Sequence, residues 1–162
     1  MKNRRKNSRV GKVVLGIGNL LLRDEGVGCH VAHALEGMAL AEARVIDGGT
    51  SADVVGLVEG TDKLIIVDAV KGGGAPGQIY RFRLKNLTLQ QKPFLSVHDL
   101  SLLDNLVLMK VWDKVGEDVI IGIEPKEIDW GLELSEEVEK KLPEIIEAVL
   151  AEVNNSEGER KC

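Results

Sequence analysis

The chain has 162 residues, of which 44% are apolar but only 3% aromatic, so it is long enough for one domain with an aliphatic core. Residues 1–12 carry six basic side chains and no acidic one, whereas the other 15 basic and 26 acidic residues give a formal −11. An acidic body with so few aromatic residues argues against a nucleic-acid-binding surface, and we expect the basic segment 1–11 to be a disordered, solvated tail.

The two cysteines, Cys29 and Cys162, do not suggest a disulfide framework, so a reducing cytoplasm fits this chain best. No apolar run approaches the ~18 residues that a membrane-spanning helix needs. The first apolar run, VVLGIG (13–18), is also too short and too interrupted by glycine for a signal peptide. The sequence therefore predicts a cytoplasmic monomer with no membrane and no nucleic-acid partner.

Five segments are predicted as β-strands from their apolar pattern. The first is a continuous apolar run, which is typical of a strand buried on both faces. The fourth alternates apolar and polar residues and follows the third after a short glycine-rich connection, whereas a parallel neighbour needs a crossover of a dozen or more residues. We therefore expect the fourth strand to be antiparallel or displaced to the sheet edge. The segments are 12–18, 43–49, 63–70, 77–84 and 118–124.

Helical periodicity falls between these strands. Helices are expected at 26–38, from Ser51 to Val58, at about 100–112 after Asp99, and after Ser135. Pro143 lies inside the apolar stripe of the last helix and is expected to kink or divide it. Because strands and helices alternate, the sequence predicts a single α/β domain over 12–153, with a mostly parallel sheet covered on both faces and a frayed tail at 154–162.

Three potential metal ligands, Glu25, Asp68 and His98, stand just past an apolar run or at the start of a predicted helix. In open α/β sheets the crevice outside the carboxyl ends of the strands binds ligands. Two carboxylates and an imidazole converging there can hold a borderline divalent metal ion, which accepts oxygen and nitrogen donors. The carboxylate of Asp68 also lies in an apolar strand, where it is costly unless paired, hydrogen-bonded or metal-bound.

Structural roles compete with this interpretation. Asp24 and Glu25 can cap a helix and interact favourably with its dipole. Asp47 can cap the backbone amides of a turn, or it can be a further carboxylate at the rim of the same crevice. His98 can be an ordinary loop histidine.

The first helix and the turn before it carry further candidates with simpler interpretations. We interpret His30 and His33 as surface or flanking residues and Cys29 as a small packing residue. The GIGN turn (16–19) lacks the third glycine of a dinucleotide fingerprint, because Leu21 occupies that position. A tight structural turn is therefore the preferred interpretation of GIGN.

Several segments resemble, in the same order, those of the hydrogenase maturation proteases. These endopeptidases trim the C-terminal extension from the large subunit of nickel–iron hydrogenases. The resemblance extends over roughly residues 12–150, and its most specific parts are the GxGNxLxxDEGxG pattern and the DGGT block. The matching segments are GIGNLLLRDEGVG, VIDGGT, LIIVDAV, APGQIYRF, SVHDLSL and IGIEPKEIDWGLELS.

The resemblance implies a three-layer sandwich with a twisted five-stranded sheet. It implies that Glu25, Asp68 and His98 recognise nickel already inserted into the precursor, so that the substrate supplies the metal. It places Asp47 nearby, where Asp47 orients a ligand or acts as a base. It also implies that the loop 71–77 and the region 85–105 frame the bound peptide.

The chemical step stays open at this point. Nickel could polarise the scissile carbonyl or activate water, or a carboxylate, Asp47 or Asp68, could act as general base as in a carboxylate-dependent (aspartyl) protease. Two other functions compete with proteolysis. One is a non-catalytic nickel-sensing or chaperone module on the same fold, and the other is a nucleotide-binding α/β protein that uses the GIGN turn.

Overall fold

The computed structural model of the chain describes residues 11–38, 40–51, 53–83 and 114–155. The predicted helix at about 100–112, the region 85–105 with His98, the segment 1–10 and the end of the chain from 156 lie outside the described residues. The strands are β1 (Lys12–Ile17), β2 (Ala43–Gly49), β3 (Lys63–Ala69), β4 (Ile79–Phe82) and β5 (Glu117–Ile123). The helices are a 3-10 turn (Arg23–Gly26), α1 (Val27–Gly37), α2 (Val54–Val58) and α3 (Glu136–Asn154).

The five strands form one sheet in the order β2-β1-β3-β5-β4. The first four strands in this order run parallel, and β4 pairs antiparallel with β5 at the edge. This arrangement confirms the expectation for the fourth strand, because the short connection from β3 does not allow a parallel crossover.

The core has two halves, one on each face of the sheet. On one face, α2 packs against alternate residues of the strands, such as Leu15 and Leu64. On the other face, α1 and α3 pack against the residues between them, such as Val14 and Ile65. Helices therefore cover both faces of a mostly parallel sheet, as predicted.

Two glycines let α1 lie directly on β1 and β3. A Cβ atom on Gly28 would lie 2.2 Å from the carbonyl oxygen of Val67, and one on Gly16 would lie 2.1 Å from the carbonyl oxygen of Gly28. Both distances are far below a van der Waals contact. The glycines of the GIGN segment and of α1 therefore serve close helix–sheet packing, which supports the structural interpretation of that turn.

One local expectation was wrong, and for a second the structure excludes one of its two alternatives. Ser51 does not cap α2: the helix begins at Val54, and the Ser51 hydroxyl accepts a hydrogen bond from the Asp53 amide two residues later. Pro143 does not divide α3, which runs without a break from Glu136 to Asn154. Pro143 is exposed, so water can solvate the carbonyl that loses its helical partner, while buried residues before and after it hold the helix on the sheet.

Candidate active site

The carboxylates predicted for the site lie at the carboxyl ends of neighbouring strands. Asp47 of β2 and Val67 of β3 both pair with Gly16 of β1, so Asp68 stands one residue beyond the level of Asp47. The half-buried Glu25 belongs to the 3-10 turn that follows β1, and this turn contacts β3. The structure thus brings Glu25, Asp47 and Asp68 to the same edge of the sheet, where open α/β folds bind ligands.

Asp68 is enclosed by the protein. It is 1% exposed, and β3 is buried along almost its whole length. The Asp68 Oδ1 atom accepts a hydrogen bond from the Ala69 amide at 2.8 Å. Desolvation of a carboxylate costs free energy that packing alone does not return. Asp68 is thus a buried carboxylate at the carboxyl end of the central strand, and its role as a ligand stays a prediction.

Asp47 is held by donors from two elements. Its Oδ1 atom accepts a hydrogen bond from the Gly49 amide at 3.2 Å, as the turn interpretation predicts, and its Oδ2 atom lies 2.5 Å from the His33 Nε2 atom. Burial alone would raise the pKa of Asp47, but hydrogen bonds from Cys29 and His33 and the charge of His33 bring it below the ordinary 3.8. Asp47 is therefore ionised throughout the neutral pH range.

Asp47 also lines an open cleft of about 430 Å³. We use "the cleft" for the space lined by Gly18, Asn19, Leu20, Asp47, Gly48, Gly49, Thr50 and Ser51. Its walls come from the loops after β1 and β2, and both loops are tied together by a hydrogen bond from the Gly18 amide to the Gly49 carbonyl at 2.9 Å. Asp47 therefore borders the open space between these two loops.

The thiol of Cys29 lies beneath these carboxylates. Cys29 is fully buried, and its Sγ atom donates to the Gly18 carbonyl at 3.5 Å. Burial, followed by the hydrogen bond and charge of Asp47 and by the charge of Asp68, raises the pKa of the thiol to about 12. The thiol is neutral at physiological pH and is not an activated nucleophile. The interpretation of Cys29 as a packing residue agrees with this geometry.

Asp24 has a structural role that sequence reasoning missed. Its carboxylate does not cap the 3-10 turn or α1; instead it accepts hydrogen bonds from the Lys126 amide (2.9 Å), the Glu127 amide (2.8 Å) and both the amide and the hydroxyl of Ser135 (2.7 Å each). Burial opposes ionisation of Asp24, but these bonds outweigh it and lower its pKa. Asp24 thereby anchors the 3-10 turn to the start of α3, and this turn also contains Glu25.

The histidines of α1 lie at the surface or at its margin, as expected, but one of them has a partner that the sequence does not reveal. His33 is half-exposed but contacts Asp47, and His30 is half-buried, with a pKa lowered mainly by burial. The sequence contains one hint of the contact between His33 and Asp47. Cys29 and His33 are four residues apart and therefore share one face of α1. The sequence does not reveal that this face reaches the end of β2.

The loop 71–77, which follows β3, is fixed by side chains from β4 and from the residue just after β5. The buried Glu124 carboxylate accepts hydrogen bonds from the Gly72 amide (2.7 Å) and the Gly73 amide (3.0 Å), and the Tyr80 hydroxyl accepts one from the Gly74 amide at 3.0 Å. The loop is thus an ordered wall rather than a simple linker. Its role in framing a peptide stays a prediction.

A family model described as hydrogenase maturation protease matches residues 29–152. The chain belongs to the hydrogenase maturation protease family. It is 30% identical over 149 residues to the hydrogenase 2 maturation protease of Escherichia coli, which covers 89% of this chain and 91% of that protein. Members of this family are named proteases and endopeptidases, so this maturation protease is an enzyme that acts on peptide bonds.

Solved structures agree with this assignment. The hydrogenase maturating endopeptidase HybD from Escherichia coli has a TM-score of 0.75 and 25% identity, covering 88% of this chain and 91% of that one. The nickel–iron hydrogenase maturation protease HybD from Thermococcus kodakarensis has a TM-score of 0.70 and 26% identity, covering 88% and 98%. The predicted α/β fold of this maturation protease is thereby confirmed.

The three-ligand metal site of this maturation protease stays a prediction. Among the described residues, no three His, Cys, Asp or Glu side chains are arranged to hold a metal ion. Glu25 and Asp68 are described, but the third predicted ligand, His98, is outside the described residues. Within the described residues, no helix has the length and apolar character that a membrane span requires.

Proposed function

We propose that this maturation protease removes the C-terminal extension of a nickel–iron hydrogenase large-subunit precursor after nickel has been inserted. Glu25, Asp68 and His98 are the proposed groups that recognise the nickel, which arrives as part of the substrate. Support for this substrate comes from the family to which the chain belongs and from the relatives named as hydrogenase maturation proteases. We further propose that the enzyme acts as a monomer in the cytoplasm.

The observation that carries the proposal is the buried carboxylate of Asp68 at the carboxyl end of the central strand β3. The 3-10 turn with Glu25 contacts the same strand, and Asp24 anchors this turn through its bonds to Ser135. Oxygen donors on two rigid elements suit a borderline divalent ion, which also accepts an imidazole such as His98. The donor set therefore fits nickel presented by a partner protein.

The reaction adds one water molecule across a peptide bond and releases a carboxylate and an amine. Nickel in the substrate can polarise the scissile carbonyl, and a carboxylate can take a proton from the attacking water. The lowered pKa of Asp47 makes it a weak base at neutral pH, because a general base works best with a pKa near the working pH. Asp47 is thus better suited to orienting the peptide or water in the cleft, which leaves Asp68 as the other candidate base.

Intact mass spectrometry of large-subunit precursors, with and without nickel, tests the proposal. We expect the wild-type enzyme to release a short C-terminal peptide only from the nickel-loaded precursor. Glu25→Gln and His98→Ala should abolish this release without unfolding the domain. Glu36→Gln, an exposed charge change on α1, is the matched control and should process normally.

Normal cleavage by purified Glu25→Gln or His98→Ala would overturn the proposed ligand roles. Binding of loaded precursor without any loss of mass would overturn the proposed cleavage and favour a non-catalytic nickel checkpoint. Equal cleavage of loaded and nickel-free precursor would overturn nickel recognition while leaving the protease activity intact.

A further inference from the structure

His33 and Asp47 form a contact between two different elements at the edge of the cleft. The His33 Nε2 atom, on the second turn of α1, lies 2.5 Å from the Asp47 Oδ2 atom at the end of β2. The two side chains are 50% and 28% exposed, so water reaches the pair but does not fully solvate the Asp47 carboxylate. A hydrogen bond between an imidazole nitrogen and a carboxylate is strengthened when either group is ionised.

The second oxygen of the Asp47 carboxylate is fixed as well. The Oδ1 atom accepts from the Gly49 amide at 3.2 Å, which belongs to the same strand as Asp47. With Oδ1 held by β2 and Oδ2 by α1, the plane of the carboxylate is set by both elements. Because Asp47 lines the cleft, this orientation is the one that a bound peptide meets.

The other titratable groups around the pair do not supply a positive charge to Asp47. From α1, the Cys29 thiol is neutral, because burial followed by the influence of Asp47 raises its pKa to about 12. From β3, the Asp68 carboxylate acts on the same thiol. Burial lowers the pKa of His30 on α1, and the charge of the nearby His33 lowers it further. His33 is thus the imidazole that the described structure places on Asp47, and it adds a positive charge there when it is protonated.

We propose that His33 is a positioning residue of this protease, which holds the Asp47 carboxylate in a fixed orientation and in its charged form beside the cleft. This inference rests on the proposed function, because it assigns His33 to the peptide cleavage described above. His33 acts through Asp47 and does not itself touch the substrate.

The contact has a consequence for the pH dependence of cleavage. The hydrogen bonds of Cys29 and His33, together with the charge of His33, hold the pKa of Asp47 below its ordinary value against the opposing effect of burial. Without the imidazole the pKa of Asp47 rises, so Asp47 becomes protonated at a higher pH. The acid limb of the kcat/KM profile should then move to higher pH.

Two substitutions separate orientation from charge. His33→Ala removes both the donor and the charge, whereas His33→Gln retains an N–H donor of similar reach without the charge. We expect His33→Ala to lower kcat by about ten- to a hundredfold with little change in KM, as misplacement of a catalytic group does. His33→Gln should recover much of kcat at neutral pH, but both variants should show the shifted acid limb. The control Glu36→Gln, one turn further along α1, should show neither effect.

A second readout does not depend on the substrate. Carbon-13 NMR of the side-chain carboxyl groups gives the titration of Asp47 in each folded variant, and we expect it at higher pH in both His33 variants than in Glu36→Gln. Unchanged titration of Asp47 and an unchanged pH profile in His33→Ala would overturn the inference. If the wild-type enzyme cleaves no precursor, the proposed function fails, and the role in cleavage assigned to His33 fails with it. The carboxyl titration alone then still decides whether His33 controls the charge of Asp47.

Discussion

Asp24 and Ser135 are 111 residues apart in the chain, yet the Ser135 amide and hydroxyl both donate hydrogen bonds to the Asp24 carboxylate at 2.7 Å. Ser135 is also the N-cap of α3, where its hydroxyl accepts a bond from the Val138 amide at 3.4 Å. Ser135 therefore links two elements: the 3-10 turn, which contains Glu25, and α3, which covers the sheet. The placement of the proposed ligand depends on this long-range contact.

Asp24→Asn should destabilise the protein by about 2–4 kcal/mol, because buried donors then face an amide that offers one acceptor oxygen and two N–H groups. Urea denaturation measures this loss. Glu133→Gln, an exposed change in the segment just before α3, is the control and should alter the free energy of unfolding by less than about 0.5 kcal/mol. Similar stability of Asp24→Asn and the control would contradict the anchoring role.

Lowering the pH should remove the contribution that the ionised Asp24 carboxylate makes to the free energy of unfolding. Its pKa in the folded protein lies below the ordinary 3.8, because its hydrogen bonds outweigh burial, so its ionisation stabilises the fold at pH values above the ordinary pKa. This stabilisation is lost as the pH falls through the folded pKa. The difference in unfolding free energy between the wild type and Asp24→Asn should therefore stay constant at neutral pH and narrow as the pH falls through the ordinary 3.8 and below it. A constant difference over that range would argue against it.

Glu152→Ala should cost about 2–3 kcal/mol of stability, because it removes the nearer carboxylate of the buried Lys63 ammonium group and leaves the Glu117 carboxylate at 3.9 Å and two backbone carbonyl acceptors. The Lys63 Nζ atom is 3.0 Å from Glu152 Oε2, and both residues are buried near the end of α3. Arg81 also pairs with Glu152. Guanidinium chloride denaturation measures the loss of stability.

An exposed ion pair on the same helix provides the comparison. Lys140 and Glu136 are 2.9 Å apart, and their side chains are more than 70% exposed. Lys140→Ala should change stability by less than about 0.5 kcal/mol, since water and salt screen surface pairs. If Glu152→Ala and Lys140→Ala lost the same unfolding free energy, the buried Lys63–Glu152 pair would stabilise the fold no more than a surface pair.

Gly28→Ala should destabilise the fold by about 3 kcal/mol or more, because the added methyl group would lie 2.2 Å from the Val67 carbonyl oxygen and 2.4 Å from that of Ile17. Gly37→Ala at the end of the same helix meets no atom within 4 Å and should be neutral or stabilise by about 0.5–1 kcal/mol. Thermal unfolding of both variants gives the comparison. A Gly28→Ala variant as stable as Gly37→Ala would show that α1 can move away from the sheet without cost.

Local pattern in the sequence determined most of the fold. Apolar runs place β1 and β3 in the buried centre, and the short glycine-rich connection after β3 sends β4 to an antiparallel edge, since it is too short for a crossover. The same pattern places Glu25, Asp47 and Asp68 after or at the ends of parallel strands. These features depend on the order and spacing of neighbouring residues, so the sequence alone is enough to predict them.

The partners of individual polar side chains were decided by the tertiary structure. The residues around Asp24 predict a helix cap, but its carboxylate accepts a hydrogen bond from Ser135, because packing brings α3 to the 3-10 turn. His33 reads as a surface residue, but α1 lies close enough to β2 for it to reach Asp47. Hydrogen-bond partners depend on separations of a few ångströms between elements distant in sequence, and the periodicity of one element carries no information about those separations.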